Sequence, residues 1–228
     1  FGGTNVAQGA VRRDKMVEIT VFVEGGIIPN EKDSVLTIDN SERFRESFRK
    51  LLNQLIANQN FKIIIENHGG YKPTINSFKN NLLKNENSFL LIDLDRPPTE
   101  RKSQITFFGI ENEQEKVFFM VQKMEAWILS QPKKIEECYQ FLKRKEIEKA
   151  ISEDNLLKDK HPENIYQPDS VLNTILQRYF EYEKQGKIKK KKYGKLKDAP
   201  DLLEKLDAEE LKATFADVRR ICEHIPLL

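Results

Sequence analysis

The sequence predicts an α/β sandwich with a largely parallel central sheet, followed by a helical C-terminal region. Two observations carry the prediction. Runs rich in β-branched and aromatic residues lie at 17–23, 61–66, 88–92, 105–108 and 117–121, with helix-patterned stretches between the first three, and strands spaced by helices pair in parallel. From Glu125 onward such runs give way to helical stretches punctuated by Pro132, Pro162, Pro168 and Pro200.

Taken in order, residues 1–15 are polar, glycine-rich and without period. They read as an upstream extension, with the native start at Met16. The first strand, 17–23, runs into Glu24-Gly25-Gly26. Residues 27–39 read as a loop, and Asn40-Ser41-Glu42 as a helix start ahead of Phe44, Phe48, Leu51, Leu52 and Leu55. A second strand over 61–66 closes in Asn67-His68-Gly69-Gly70, and a helix over about 73–83 carries Pro73 in its first turn. The third strand, 88–92, opens into Asp93-Leu94-Asp95, and Arg96-Pro97-Pro98-Thr99 must be a loop. Residues 105–108 and 117–121 read as short strands, the latter leading through Gln122-Lys123-Met124 to Glu125-Ala126-Trp127. Helices are expected over 126–130, 134–145, 170–184, 201–206 and 208–224, with a low-complexity lysine tract at 187–192. The expected organisation is an extension (1–15), an α/β domain (16–130) and a helical region packed on it (131–228).

A net charge of +2 over 228 residues gives no global basic field, so any polyanion must be held by local patches. Cys138 and Cys222 lack ligand spacing and read as reduced, packed side chains. No stretch approaches the roughly 20 apolar residues of a membrane span, and no leader-type apolar segment is visible. The expectation is a cytoplasmic protein without a membrane partner.

Three acidic patches, holding four carboxylates, are candidates for chemistry. Alternation along a strand would send Asp93 and Asp95 to one side, where both could bind one hard cation such as Mg2+; the same pair also occurs as a turn or cap. Glu24 precedes two glycines that permit positive φ and close backbone approach. If the first and third strands are neighbours, it could act as general base or second ligand. Glu125 opens a helix, where a carboxylate gains from the dipole, or it adds a further acidic ligand; Trp127 reads as core. Gly69-Gly70 reads as a turn or as amides for a phosphate. His68 beside it is an ambiguous single histidine, and His161 and His224 have no matching ligands for zinc. The tract containing Lys189, Lys190, Lys191, Lys192, Tyr193 and Lys195 is the strongest local charge feature, suited to a phosphate backbone, with Tyr193 free to stack on a base.

With these residues placed, the chain resembles the Toprim-fold proteins, and most of all a small bacterial Toprim-like family related to OLD-type nucleases. The elements are Val23-Glu24-Gly25, Gly69-Gly70, Ile92-Asp93-Leu94-Asp95, Met124-Glu125-Ala126-Trp127 and Tyr193-Gly194-Lys195. The resemblance implies a Rossmannoid Toprim-like sandwich with Glu24 as general acid/base. Asp93 and Asp95, with Glu24, would be ligands to Mg2+ or Mn2+, and Glu125 a further acid. It implies a nuclease acting on DNA or RNA, the effector of an anti-phage defence system beside an ATPase partner. The rival reading is a non-catalytic subunit held by that ATPase. One departure is that Ile28 stands where many relatives carry an acid after the Glu-Gly element, with Glu31 further on. No tyrosine can be assigned as a topoisomerase nucleophile, and no phosphate-loop lysine motif supports nucleotide phosphorylation.

Overall fold

A computed structural model describes residues 16–26, 35–56, 61–144 and 149–225, with backbone alone over 35–39. The expected extension over 1–15 and the positions of Ile28 and Glu31 lie outside the described residues. Strands β1 (Val17–Val23), β2 (Phe61–Asn67), β3 (Ser88–Asp93) and β4 (Val117–Met120) form one parallel sheet of order β2-β1-β3-β4. Helices α1 (Val35–Ile56), α2 (Tyr71–Leu82) and α3 (Arg101–Phe108) supply the connections. The α/β arrangement with a parallel sheet and a mostly helical second half is therefore the one the chain adopts.

Burial on both faces explains the near-continuous apolar strands. Ile19, Val21, Val23, Phe89, Leu91, Phe118 and Met120 pack with Phe44, Phe48 and Leu51 of α1 and with the later helices. Phe22, Leu90, Ile92 and Phe119 face Ile75 and Phe78 of α2 and Ile105 of α3. The second half contributes α4 (Glu125–Leu129), α5 (Pro132–Cys138), α6 (Pro168–Tyr179), α7 (Lys195–Leu203), α8 (Ala208–Thr214) and α9 (Ala216–His224). Its core side chains, among them Trp127, Leu176, Leu203 and Ile221, belong to the same cluster as Ile19. One core thus crosses the position near residue 130 where the α/β domain was expected to end.

Several local expectations are corrected. Residues 105–108 are the end of α3, not a strand; Gly109 closes the helix in the left-handed region, its amide bonding back to Ile105 and Thr106. A four-residue apolar run is too short for its period to separate helix from strand. Helix α1 already begins at Val35, so Asn40-Ser41-Glu42 lies inside it. Helix α6 stops at Tyr179, and 180–184 forms strand β6 (Phe180–Lys184) against β7 (Lys187–Lys190). Gln185 and Gly186 between them both have positive φ, the primed geometry that suits a tight hairpin. The lysine tract is therefore largely a strand. The expected helix over 134–145 ends at Cys138, and β5 (Lys143–Arg144) pairs with β6. Helix α7 starts at Lys195, ahead of the expected 201, and the last helix is split at the extended Phe215. Both cysteines are free thiols, half-buried as packed side chains. No helix among the described residues is long and apolar enough to cross a membrane.

Candidate functional site

The strand order doubles back at β1: the chain passes from β1 to its neighbour β2, then crosses to β3 on the other side. Such a switch point opens a crevice beyond the carboxyl ends of the strands, where ligands of α/β sheets bind. Glu24 follows β1 and Asp93 ends β3 there. The turn after β1 needs its glycines: Gly25 and Gly26 have φ of 114° and 69°, and the Gly25 amide donates to the Gly69 carbonyl at 2.8 Å. The Asn67-His68-Gly69-Gly70 turn thus acts as a backbone brace. His68 stacks on Phe22 and faces Glu66, away from the cleft.

A cleft of about 500 Å³ is lined by Glu24, Asp93, Asp95, Glu125 and Asp169 together with Lys123, Lys195, Tyr193, Ser170 and Asn173. All four acids singled out in the sequence meet here. The route by which Asp95 arrives differs from the expected one. The strand ends at Asp93, and Asp95 sits beyond it at φ 52°, its amide donating to the Gln122 carbonyl at 2.9 Å. A turn, rather than strand alternation, brings it alongside.

Each carboxylate is held by named groups. The Asp93 amide donates to Glu24 Oε2 at 3.3 Å. Asp93 accepts the Met124 amide on Oδ1 at 3.0 Å and Lys195 Nζ on Oδ2 at 3.3 Å. Lys123 lies 3.2 Å from Asp169 and 3.9 Å from Asp95. Glu125, only 1% exposed, accepts the Tyr193 hydroxyl on Oε1 at 2.9 Å, while its Oε2 has no partner. Asp169 Oδ1 is likewise buried and unpartnered.

The electrostatics follow from five acids facing two lysines. Burial, then the charge of Asp93, raises the Glu24 carboxyl to about 7. Burial and Asp93 also raise Asp95, and burial raises Glu125 against the pull of Lys195. Burial disfavours the Lys195 cation, but Asp93, then Glu125, hold it above its ordinary value. Unsatisfied negative charge of this kind, with orphaned buried carboxylate oxygens, suits a hard cation. Among the described residues, no three such side chains already close around a single point.

Two expected surface residues belong here instead. Tyr193 is not free for a base, because its hydroxyl is committed to Glu125 and its ring packs on the core. Lys195, half-buried, pairs with Asp93. Lys191 is also withdrawn, paired with Asp198; Lys189, Lys190 and Lys192 stay exposed. Asp169, Asn173 and the role of Lys123 were not legible as site features. Asp169 follows Pro168 at the start of α6 and reads locally as an ordinary first-turn acid.

A family model described as a domain of unknown function, DUF4276, matches residues 41–225. Neither the curated proteins nor the solved structures give a match.

Proposed function

The chain belongs to the DUF4276 family; from its own residues we propose a metal-dependent phosphodiesterase that cleaves nucleic acid, its Toprim type resting on the resemblance alone. The observation that carries the reading is the convergence of Glu24, Asp93, Asp95 and Glu125 with Lys195 at the β1/β3 switch point. Asp93 and Asp95, with Glu24, would hold Mg2+ or Mn2+. Such an ion, when bound, acts as a Lewis acid on the phosphate and lowers the pKa of bound water.

The protein groups divide the remaining work. In the metal-free cleft burial and then the charge of Asp93 raise the Glu24 carboxyl to about 7; where it is not a ligand of the ion, the ionised carboxylate can take a proton from an attacking water. Lys195 can offset charge that develops on the phosphate oxygens. Tyr193 fixes Glu125, and Lys123 spans Asp95 and Asp169. The exposed Lys189, Lys190 and Lys192 are suited to the strand's backbone. An ATPase partner and a place in anti-phage defence follow from the Toprim resemblance alone.

The test is cleavage of tRNA, plasmid and single-stranded DNA with and without magnesium. Asp93→Asn is expected to abolish metal-dependent cleavage, and Glu24→Gln to lower it by roughly 10²–10⁴-fold. Undiminished cleavage by Asp93→Asn sinks the proposal. A second reading, a non-catalytic subunit held by an ATPase, is favoured by the ion pair that Lys195 already makes with Asp93. Co-purification with an ATPase, with no cleavage by either component or by the assembly, selects it.

A further inference from the structure

Beside the acidic cleft lies a larger groove of about 1110 Å³, bounded by the β6–β7 hairpin, the segment after α5 and the start of α7. Tyr193 lines both spaces, so they share a wall. The groove's acids are already neutralised: Asp198 by Lys191, Asp201 by Arg43 and Glu204 by Lys50. By contrast, Lys184, Lys189, Lys190, Lys192 and Lys197 make no ion pair among the described residues. The lining therefore carries an uncompensated positive stripe.

Aromatic rings interrupt that stripe. Tyr139 is occupied, with Lys191 Nζ 5.1 Å from its ring centre. Phe141 is 76% exposed, and Tyr182 is half-buried on β6. An exposed phenylalanine beside free lysines presents an apolar face together with a polyanion tether. Unpaired bases use that combination, stacking on the ring while the backbone lies on the cations. A duplex keeps its base faces stacked inside and can use only the cations.

We propose that this groove takes single-stranded nucleic acid, with unpaired bases stacked on Phe141 and Tyr182 and phosphates on the hairpin lysines, and leads the strand over Tyr193 into the acidic cleft. The proposal rests on the phosphodiesterase reading for what happens in the cleft, and adds the substrate class.

Fluorescence anisotropy on the full chain in EDTA, where metal-dependent cleavage is off, separates the two. Labelled oligothymidylate and oligouridylate are expected to bind more tightly than a hairpin duplex of equal charge. Phe141→Ala should weaken single-strand binding by roughly 5- to 100-fold with an unchanged salt slope, whereas Lys190→Ala should lower that slope by about one. Both side chains are exposed, and thermal melts verify that the variants fold. Equal binding of the duplex, wild-type binding by Phe141→Ala together with Tyr182→Ala, or displacement by polyglutamate as readily as by oligothymidylate overturns the proposal. If only the nuclease reading fails, Phe141-dependent binding persists without cleavage. If only the groove fails, magnesium-dependent cleavage persists with single-strand binding indifferent to Phe141.

Discussion

Replacing Glu24 by glutamine isolates the electrostatic cost of the cleft, because glutamine has the shape of the protonated acid and cannot ionise. Burial, then the Asp93 charge, moves this carboxyl from 4.5 to about 7 in the folded protein. The folded state therefore holds the proton more tightly than the unfolded chain. The stability linked to Glu24 is fully present below about pH 4.5 and is lost as the pH rises to about 7. That interval corresponds to about 3 kcal/mol, an upper figure because the side chain keeps some contact with water. In urea unfolding near pH 4.5, the wild type and Glu24→Gln should have similar stability. At about pH 8 the variant should be more stable by up to about 3 kcal/mol. Saturating magnesium should narrow the gap, since a ligand bound by the folded state alone stabilises it. A difference that is the same at both pH values, or a less stable variant at the higher pH, refutes the reasoning.

Tyr193→Phe removes the hydroxyl that donates to Glu125, a buried carboxylate whose other oxygen already lacks a partner. The expected cost is about 1–3 kcal/mol. It should be greater at high pH, because the lost hydrogen bond favoured the ionised form; melts at two pH values measure it. At Gly26 the backbone is left-handed, at φ 69°, and an added Cβ would lie 2.0 Å from Asn67 Nδ2. Gly26→Ala should therefore cost more than about 1 kcal/mol and slacken the turn that carries Glu24, read as lower stability and weaker metal-dependent cleavage.

The sheet was legible because β1, β3 and β4 are largely buried and so appear as apolar runs, two of which, β1 and β3, end at the acids. The positions of Glu24 and Asp93 followed, since a strand end fixes where its last residue lies. Residues 105–108 were misread because an apolar run of that length suits either period. The stop signal at Gly109 would have identified the helix. Asp95 came to the right place for a different reason, a left-handed turn that alternation does not anticipate. Tyr193 and Lys195 were harder. Locally they continue a lysine-rich tract, and nothing in that stretch reports that the chain turns inward after β7. Asp169 meets Lys123 only through the packing of α6 on α4, a contact 46 positions apart in sequence.

The cleft's acids and its compensating groups also reach the ribosome exit at different times. Tyr193 follows Glu125 by 68 residues, which at roughly 5–20 residues per second is an interval of several seconds. Throughout it Glu24, Asp93, Asp95 and Glu125 have been synthesised without the hydroxyl and ammonium that later face them. A nascent sheet that brought these carboxylates together would repel itself. Lys123 is the cleft lysine already present in that interval, and docking of the late segment then adds the ammonium of Lys195 that faces Asp93.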